Sequence, residues 1–446
     1  MSDVSAAKLF FVSLGCDKNL VDSERMLAIL TARGFELTDD EYEADAAVVN
    51  TCCFIEDAKK ESIEKIFDLA RLKEEGKLKA LVAAGCMAQR YRDEILEEIP
   101  ELDAIVGTTA TDSIAKAVED ALKGTKSSCM RDISTDPPAA GGRIVTTGGH
   151  YAYLKIAEGC DKNCTYCAIP RFRGHYRSFP EEDLICEAEM LAEGGVKELI
   201  LVAQETTLYG TDRCGRKTLH ELLTRLCRIE GIEWIRLLYC YPEEIYPELI
   251  ETMAREEKIC NYLDLPVQHA SDRILRKMNR RTTEADLRQL VRTLRERIPD
   301  IVLRTTLITG FPGETEEDHR ILMDFVRDLR FDRLGVFTYS KEEDTPAARM
   351  KPQVPAKVKK ARYAELMSLQ QGISFEKNRE KVGQVFEVFV EGSIPEEGTM
   401  IGRTRGDAPQ VDGYIFFHSE RDLMTGDLVR VRASSASQYD LQGDLI

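Results

Sequence analysis

Apolar residues in this chain come first as short blocks, with helical rhythm between them. The blocks at 8–14, 46–50 and 80–84 are each short enough for a strand, and unbroken enough to be covered on both faces. Between the first two, 22–33 has helical periodicity, with Asp22 or Ser23 as N-cap and Gly34 just past the end. Between the next two, 55–75 is amphipathic and stops at Gly76. That alternation predicts a parallel sheet with helical crossovers. From 124 to 149 the pattern gives way to Ser, Thr, Gly and Pro, including Pro137-Pro138 and Gly141-Gly142. This predicts a linker or long loop, with the first domain ending near Ala121.

A longer rhythm follows. Strand candidates at 152–157, 198–203, 234–239, 262–267, 301–309 and 334–339 are separated by helical stretches such as 180–192, 219–228, 284–297 and 316–329. Six strand-then-helix units predict an open or partial (β/α)6 barrel rather than a full eightfold one. After a charged helix at 357–379, short glycine-punctuated strands at 384–391, 400–402, 414–417 and 427–432 predict a small antiparallel β-barrel. The fold class is therefore α/β: an N-terminal open parallel sheet, a central partial barrel and a C-terminal small β-barrel.

Composition agrees with this layout. The 446 residues are 43% hydrophobic and 31% charged, enough for about three domains. No apolar run approaches the roughly 18–20 residues that span a bilayer. Met1 to Lys8 has no basic region leading into a signal-peptide pattern. The expectation is a cytoplasmic protein without a membrane partner. In such a reducing setting the 13 cysteines point to metal or redox chemistry rather than disulfides. The formal charge of −17 opposes non-specific binding to nucleic acid or anionic membrane and suits a basic partner.

The strongest motif is Cys160-x3-Cys164-x2-Cys167, directly after the first strand of the predicted barrel. Thiolates are soft donors suited to iron–sulfur clusters and zinc. Three of them would leave one iron of a four-iron cubane open to chelate an amine and a carboxylate. A zinc knuckle completed by His175 is the structural alternative. The position of the loop, where barrel enzymes carry their chemistry, favours the cluster. Cys16, Cys52 and Cys86 are scattered, yet each follows a predicted strand at once. Carboxyl ends of parallel strands share one edge, so these thiols should converge. Gly15 and Gly85 would let the backbone approach a bulky inorganic group there. Cys53 adjoins Cys52 and is the alternative ligand, although the strand-to-cysteine offset favours Cys52. Cys129, Cys186, Cys214, Cys227, Cys240 and Cys260 show no ligand spacing and read as ordinary small apolar residues.

Together the two cysteine sets resemble the radical S-adenosylmethionine (SAM) methylthiotransferases over nearly the whole chain. The matching motifs are Ser13-Leu14-Gly15-Cys16, Asn50-Thr51-Cys52, Gly85-Cys86-Met87-Ala88-Gln89-Arg90, Lys155 with Glu158-Gly159-Cys160, Cys167-Ala168-Ile169-Pro170, Arg173-Gly174, Leu265 to His269 and Gly310 to Glu314. Leu20 to Glu24 and Gln268-His269 resemble the branch that modifies an aspartate of small-subunit ribosomal protein twelve, while sister branches modify adenosine in transfer RNA. Asp17, where that branch commonly has proline, is a departure beside a proposed ligand.

The resemblance implies four segments: a methylthiotransferase domain at 1–123, a linker at 124–149, a radical SAM partial barrel at 150–373 and a TRAM-like β-barrel at 374–446. It implies two [4Fe–4S] clusters, one on Cys160, Cys164 and Cys167 that binds and reductively cleaves SAM, and an auxiliary one on Cys16, Cys52 and Cys86 for sulfur delivery. The resulting 5′-deoxyadenosyl radical would take hydrogen from the aspartate β-carbon, an unactivated position beyond acid–base chemistry. Gln204 and Glu205, at the second barrel strand end, are implied SAM contacts for the methionine amine. Gly310 and Gly313 are implied contacts for the adenosine. The bland readings are a surface carboxylate and an ordinary Pro-Gly turn. Tyr166 either packs by the adenine or supports the cluster loop. Implied partners are a basic ribosomal protein, an electron donor and the ribosome. TRAM modules commonly bind RNA, yet 376–446 carries 8 basic and 13 acidic residues, a net of −5, which favours a basic protein.

Overall fold

Strands form where apolar residues run without a break, and here both faces of the first sheet are covered. The structure is a computed structural model and describes residues 7–136 and 142–446. The amino-terminal residues 1–6 lie outside the described residues, as do Pro137-Pro138 and Gly141 of the expected linker. The chain divides into two units. The first comprises Met1–Thr146, Lys155–Glu187 and Ser340–Thr345; the second comprises Thr147–Leu154, Ala188–Tyr339 and Pro346–Ile446.

In the first unit, six strands lie in the order Glu36–Thr38, Lys8–Ser13, Ala46–Thr51, Ala80–Gly85, Ala104–Val106, Ser127–Cys129, all parallel. Alternation splits the central strands between two cores. Ala47, Val49, Leu81, Ala83 and Ile105 pack with Ile66 and Leu69 of helix Glu56–Glu74. Ala46, Val48, Ala80, Val82 and Ala104 pack with Met26 and Leu30 of helix Asp17–Ala32 and with Val118 of helix Ile114–Leu122. The first crossover goes to one side of Lys8–Ser13 and the next returns to the other side. The carboxyl ends of Lys8–Ser13 and Ala46–Thr51 therefore flank a topological switch point, where open α/β sheets bind ligands.

Two local expectations are corrected. The first helix starts at Asp17 with Cys16 as its N-cap residue, so Asp22 and Ser23 are buried interior positions rather than caps. Gly34 does stand just past its end, at φ +100°. Ser127–Cys129, inside the stretch read as a loop, is an edge strand beside Ala104–Val106. Its sequence, Ser-Ser-Cys, carries no apolar signal because an edge strand has little to bury.

In the second unit the sheet order is Arg333–Thr338, Val302–Thr309, Ile259–Asp264, Trp234–Leu237, Glu198–Val202, Tyr151–Lys155, the last contributing its first four residues. Its six strands match the expected open barrel. Helices Glu284–Arg297 and Glu316–Leu329 begin with full capping boxes at Thr283 and Thr315. Helix Ala356–Glu380 is tied to the last strand by Lys377 on Asp332 (2.7 Å) and Gln370 on the Phe331 carbonyl (2.8 Å). The tail is a closed barrel of five strands: Val385–Ile394, Thr399–Thr404, Ile415–His418, Leu441–Leu445 and Leu428–Ala436. The fifth, Leu441–Leu445, was not expected from sequence. It pairs parallel with Ile415–His418 and antiparallel with Leu428–Ala436. Glycine and charge in Leu-Gln-Gly-Asp-Leu hide it. Among the described residues no helix is long and apolar enough to cross a membrane.

Candidate functional site

At the switch point of the first sheet, Cys16, Cys52 and Cys86 follow Ser13, Thr51 and Gly85. Cys16 is exposed; Cys52 and Cys86 are buried. Each lies within electrostatic reach of the others: Cys16 acts on Cys52, and both act on Cys86. Burial pushes the thiols of Cys52 and Cys86 up, so as free side chains they stay protonated. Gly15, at φ +94°, makes this approach possible, because a Cβ there would meet Cys52 Sγ at 2.9 Å. The expectation that Gly15 and Gly85 clear space for an inorganic group needs refining. Their missing side chains accommodate Cys52 and Asn50 themselves. Cys53 is fully buried, with Arg90 beside it; burial pushes its thiol up to about 12, and it too acts on Cys86.

The cysteine loop belongs to the same unit. Antiparallel strands Ala157–Glu158 and Arg177–Ser178 close its base, and Cys160 N–H donates to the Gly174 carbonyl at 3.1 Å. Cys167 N–H donates to the Cys164 carbonyl at 3.0 Å, curling the loop on itself. Burial, then the neighbouring Cys164, pushes the Cys167 thiol far up, and Cys160 adds to it. Ala168 and Phe172, just beyond, belong to the apolar cluster that holds Met87 and Ala88. His175, the fourth ligand in the zinc alternative, is instead exposed and bonds Asp161 at 2.9 Å. Among the described residues no three His, Cys, Asp or Glu side chains gather around one point as a mononuclear ion requires. A cubane differs, since each cysteine holds a separate iron.

Between the two cysteine sets lies a buried charged network that the sequence reading did not assign. Arg173 donates to Asp22 (2.7 Å), Glu158 (3.0 Å) and Asn19 (3.0 Å), and twice to Cys86 Sγ (3.2 and 3.1 Å). Lys155 bonds Asp22 and also Glu158 (2.8 Å). Burial alone would raise the Glu158 carboxyl, but Arg173 and Lys155 hold it far below the usual range. All four residues sit inside the motifs quoted above. The legible signal was ionisable residues within otherwise apolar segments, which must be paired.

In the second unit, Gln204 and Glu205 follow strand Glu198–Val202. Glu205 is fully buried, which removes the surface-carboxylate reading, and accepts from the hydroxyl and the N–H of Thr207, the latter at 3.0 Å. Gly310 and Gly313 follow Val302–Thr309 in a turn held by Glu314, which accepts from Gly310 N–H (2.6 Å) and Phe311 N–H (3.0 Å). Arg362 bonds Glu314 at 2.8 Å. Gly313, at φ +79°, donates to the Pro352 carbonyl at 2.7 Å. His269 is fully buried beside this turn; its Nδ1 accepts from Ala270 and Ser271 N–H, both at 2.9 Å.

The donor chemistry fits two iron–sulfur clusters. Each set supplies three soft donors, and the Arg173 N–H groups at Cys86 suit a metal-bound thiolate as acceptor. Comparisons with known proteins agree. Residues 8–107 match the profile of the uncharacterized protein family UPF0004, 154–326 that of the radical SAM superfamily and 382–446 that of the TRAM domain. The chain is 59% identical over 436 residues to ribosomal protein uS12 methylthiotransferase RimO of Lachnoclostridium phytofermentans, covering 98% of this chain and 99% of the relative. The RimO proteins of Pelotomaculum thermopropionicum and Acetivibrio thermocellus are 52% and 50% identical, each across 98% of this chain and 99% and 98% of the relative. Among solved structures, the radical SAM methyltransferase TsrM of Kitasatospora setae, with cobalamin and a [4Fe–4S] cluster bound, has a TM-score of 0.57 at 16% identity, over 89% of this chain and 77% of that one. That likeness shows the fold alone. Cysteine positions, fold and full-length identity lead to one family: the chain belongs to the ribosomal protein uS12 methylthiotransferases, RimO.

Proposed function

We propose that this chain adds a methylthio group to the β-carbon of an aspartate in ribosomal protein uS12. Cys160, Cys164 and Cys167 would hold the [4Fe–4S] cluster that binds SAM, and Cys16, Cys52 and Cys86 the auxiliary cluster. When bound, these groups supply a low-potential electron to cleave SAM, a radical able to take an unactivated hydrogen, and a site for sulfur. The observation that carries this reading is the joining of both cysteine sets in one unit through the buried Asp22–Lys155–Glu158–Arg173 network.

The protein's own part is to bind, orient and keep water out. Thr207 fixes the Glu205 carboxylate, so with Gln204 it is set to receive an ammonium such as that of SAM. Glu314 shapes the Gly310 to Gly313 turn, whose backbone polar groups suit the adenosine. A separate electron donor delivers the reducing equivalent, and the substrate is met as free uS12 or on the ribosome.

Reduced, reconstituted enzyme is incubated with SAM and either uS12 or transfer RNA. A mass gain on the uS12 aspartate is the expected result. Modification of transfer RNA alone rejects the substrate. The TRAM module is the feature that would favour that second outcome, and the acidic balance of the tail opposes it.

A further inference from the structure

Arg173 is 2% exposed, and every one of its five N–H donors is used. Three go to Asp22, Glu158 and Asn19; the remaining two converge on the Cys86 sulfur. A guanidinium kept only to neutralise Asp22 and Glu158 has no reason to spend two donors on sulfur. A neutral thiol is a weak acceptor, whereas a metal-bound thiolate is a charged one. Lys155 already serves the same two carboxylates. The four charges of Lys155, Arg173, Asp22 and Glu158 therefore balance, and the field at Cys86 comes from the N–H fork aimed at it. Arg177 steadies that fork, donating to the Arg173 carbonyl at 2.8 Å.

We propose that Arg173 is a positioning residue for the auxiliary cluster: its fork, fixed by Asp22, Glu158 and Asn19, donates twice to the Cys86 sulfur and raises the cluster's one-electron reduction potential. The inference rests on Cys86 being a cluster ligand, as in the proposed function. Reduction adds one electron and one negative charge to the cluster with no bond broken. N–H donors at a ligand sulfur stabilise the more negative state, so their loss makes reduction harder. The same fork links Cys86 to Glu158, two residues before Cys160.

The test uses the full-length C160A/C164A/C167A variant, which retains only the auxiliary site. It is reconstituted anaerobically with iron and sulfide, then titrated against low-potential one-electron mediators with the reduced cluster read by electron paramagnetic resonance. Failure to bind about four irons per chain sinks the ligand assignment itself and the inference with it. Once iron is bound, R173Q/E158Q, which removes one buried charge of each sign, is compared with K155M/E158Q, which does the same but leaves Arg173 on Cys86. The first is expected to be harder to reduce by at least tenfold in the equilibrium constant, about 59 mV. The second is expected to match its parent. Equal potentials in all three, or equal shifts in both doubles, overturn the role of Arg173. If R173Q/E158Q does not load iron, R173K decides. Its ammonium keeps the charge but not the fork, so its potential must fall below the parent's; an unchanged value overturns the proposal.

Discussion

At the scale of single residues, Cys52 and its neighbour Cys53 compete for the third place in the proposed auxiliary site. Cys52 touches the space left by Gly15 and lies in the field of Cys16, whereas Cys53 is fully buried with the Arg90 guanidinium beside its thiol. Cys52→Ala is therefore expected to lower bound iron from about eight to about four per chain, while Cys53→Ala keeps about eight and gives up only packing. Iron and sulfide analysis of the two purified variants decides it, and the reverse pattern reassigns the ligand. The placement of Cys16, Cys52 and Cys86 just past the strand ends is legible in sequence because strand ends of a parallel sheet share an edge. The side chains that organise them are not. Asp22, Lys155, Glu158 and Arg173 stood inside recognisable motifs, but pairing across up to 151 positions of chain has no local signature. By sequence Asp22, like Ser23, fits an N-cap, a common role for such residues early in a helical pattern.

At the scale of elements, most long apolar strands and the helices with capping boxes match the sequence expectation within a residue or two, because burial and capping are local demands. Ala104–Val106 is too short an apolar run to stand out, and the strand expected at 262–267 stands at Ile259–Asp264. Ser127–Cys129 and Leu441–Leu445 escaped because their pairing, not their composition, makes them strands. Another feature invisible in sequence is the clamp between sheet and tail barrel. Glu198 bonds Arg236 at 2.7 Å and Arg403 at 2.5 Å, all three fully buried. Glu198→Ala leaves two buried guanidiniums short of a partner, and is expected to cost about 3–5 kcal/mol, read from the denaturant midpoint. Arg403 also bonds Glu391 (2.7 Å), which His150 meets at 3.1 Å. Burial alone would raise the Glu391 carboxyl, but His150 and Arg403 hold it below its ordinary value. Because the folded pKa is depressed, its stabilisation is complete above the unfolded carboxylate value of about 4.3 and is lost as pH falls below that. Unfolding free energy should therefore change little from this source between pH 7 and about 5.5 and drop below about pH 4, with a shallower drop in Glu391→Gln. An equally steep acid limb in that variant would remove Glu391 from the account.

At the scale of the whole molecule, charge decides what approaches it. The chain carries −17, and the stretch at 376–446, most of which matches the TRAM domain, carries −5. Glu396, Glu397, Glu420 and Asp422 are exposed in that stretch, outside its buried clamps. A phosphate backbone would be repelled by this surface, while a lysine- and arginine-rich protein would be steered towards it. Replacing all four with lysine takes the stretch from −5 to +3 without touching either cysteine set. Steering acts on encounter more than on the docked complex. The association rate for uS12 should therefore fall by about tenfold at low salt, and the gap should close as salt shortens the Debye length towards about 3 Å at 1 M. Stopped-flow binding across a salt series measures this, with iron content as the check that both clusters survive. Association that is unchanged at every salt concentration would mean that the acidic tail plays no part in capturing the substrate, leaving recognition to contacts at close range.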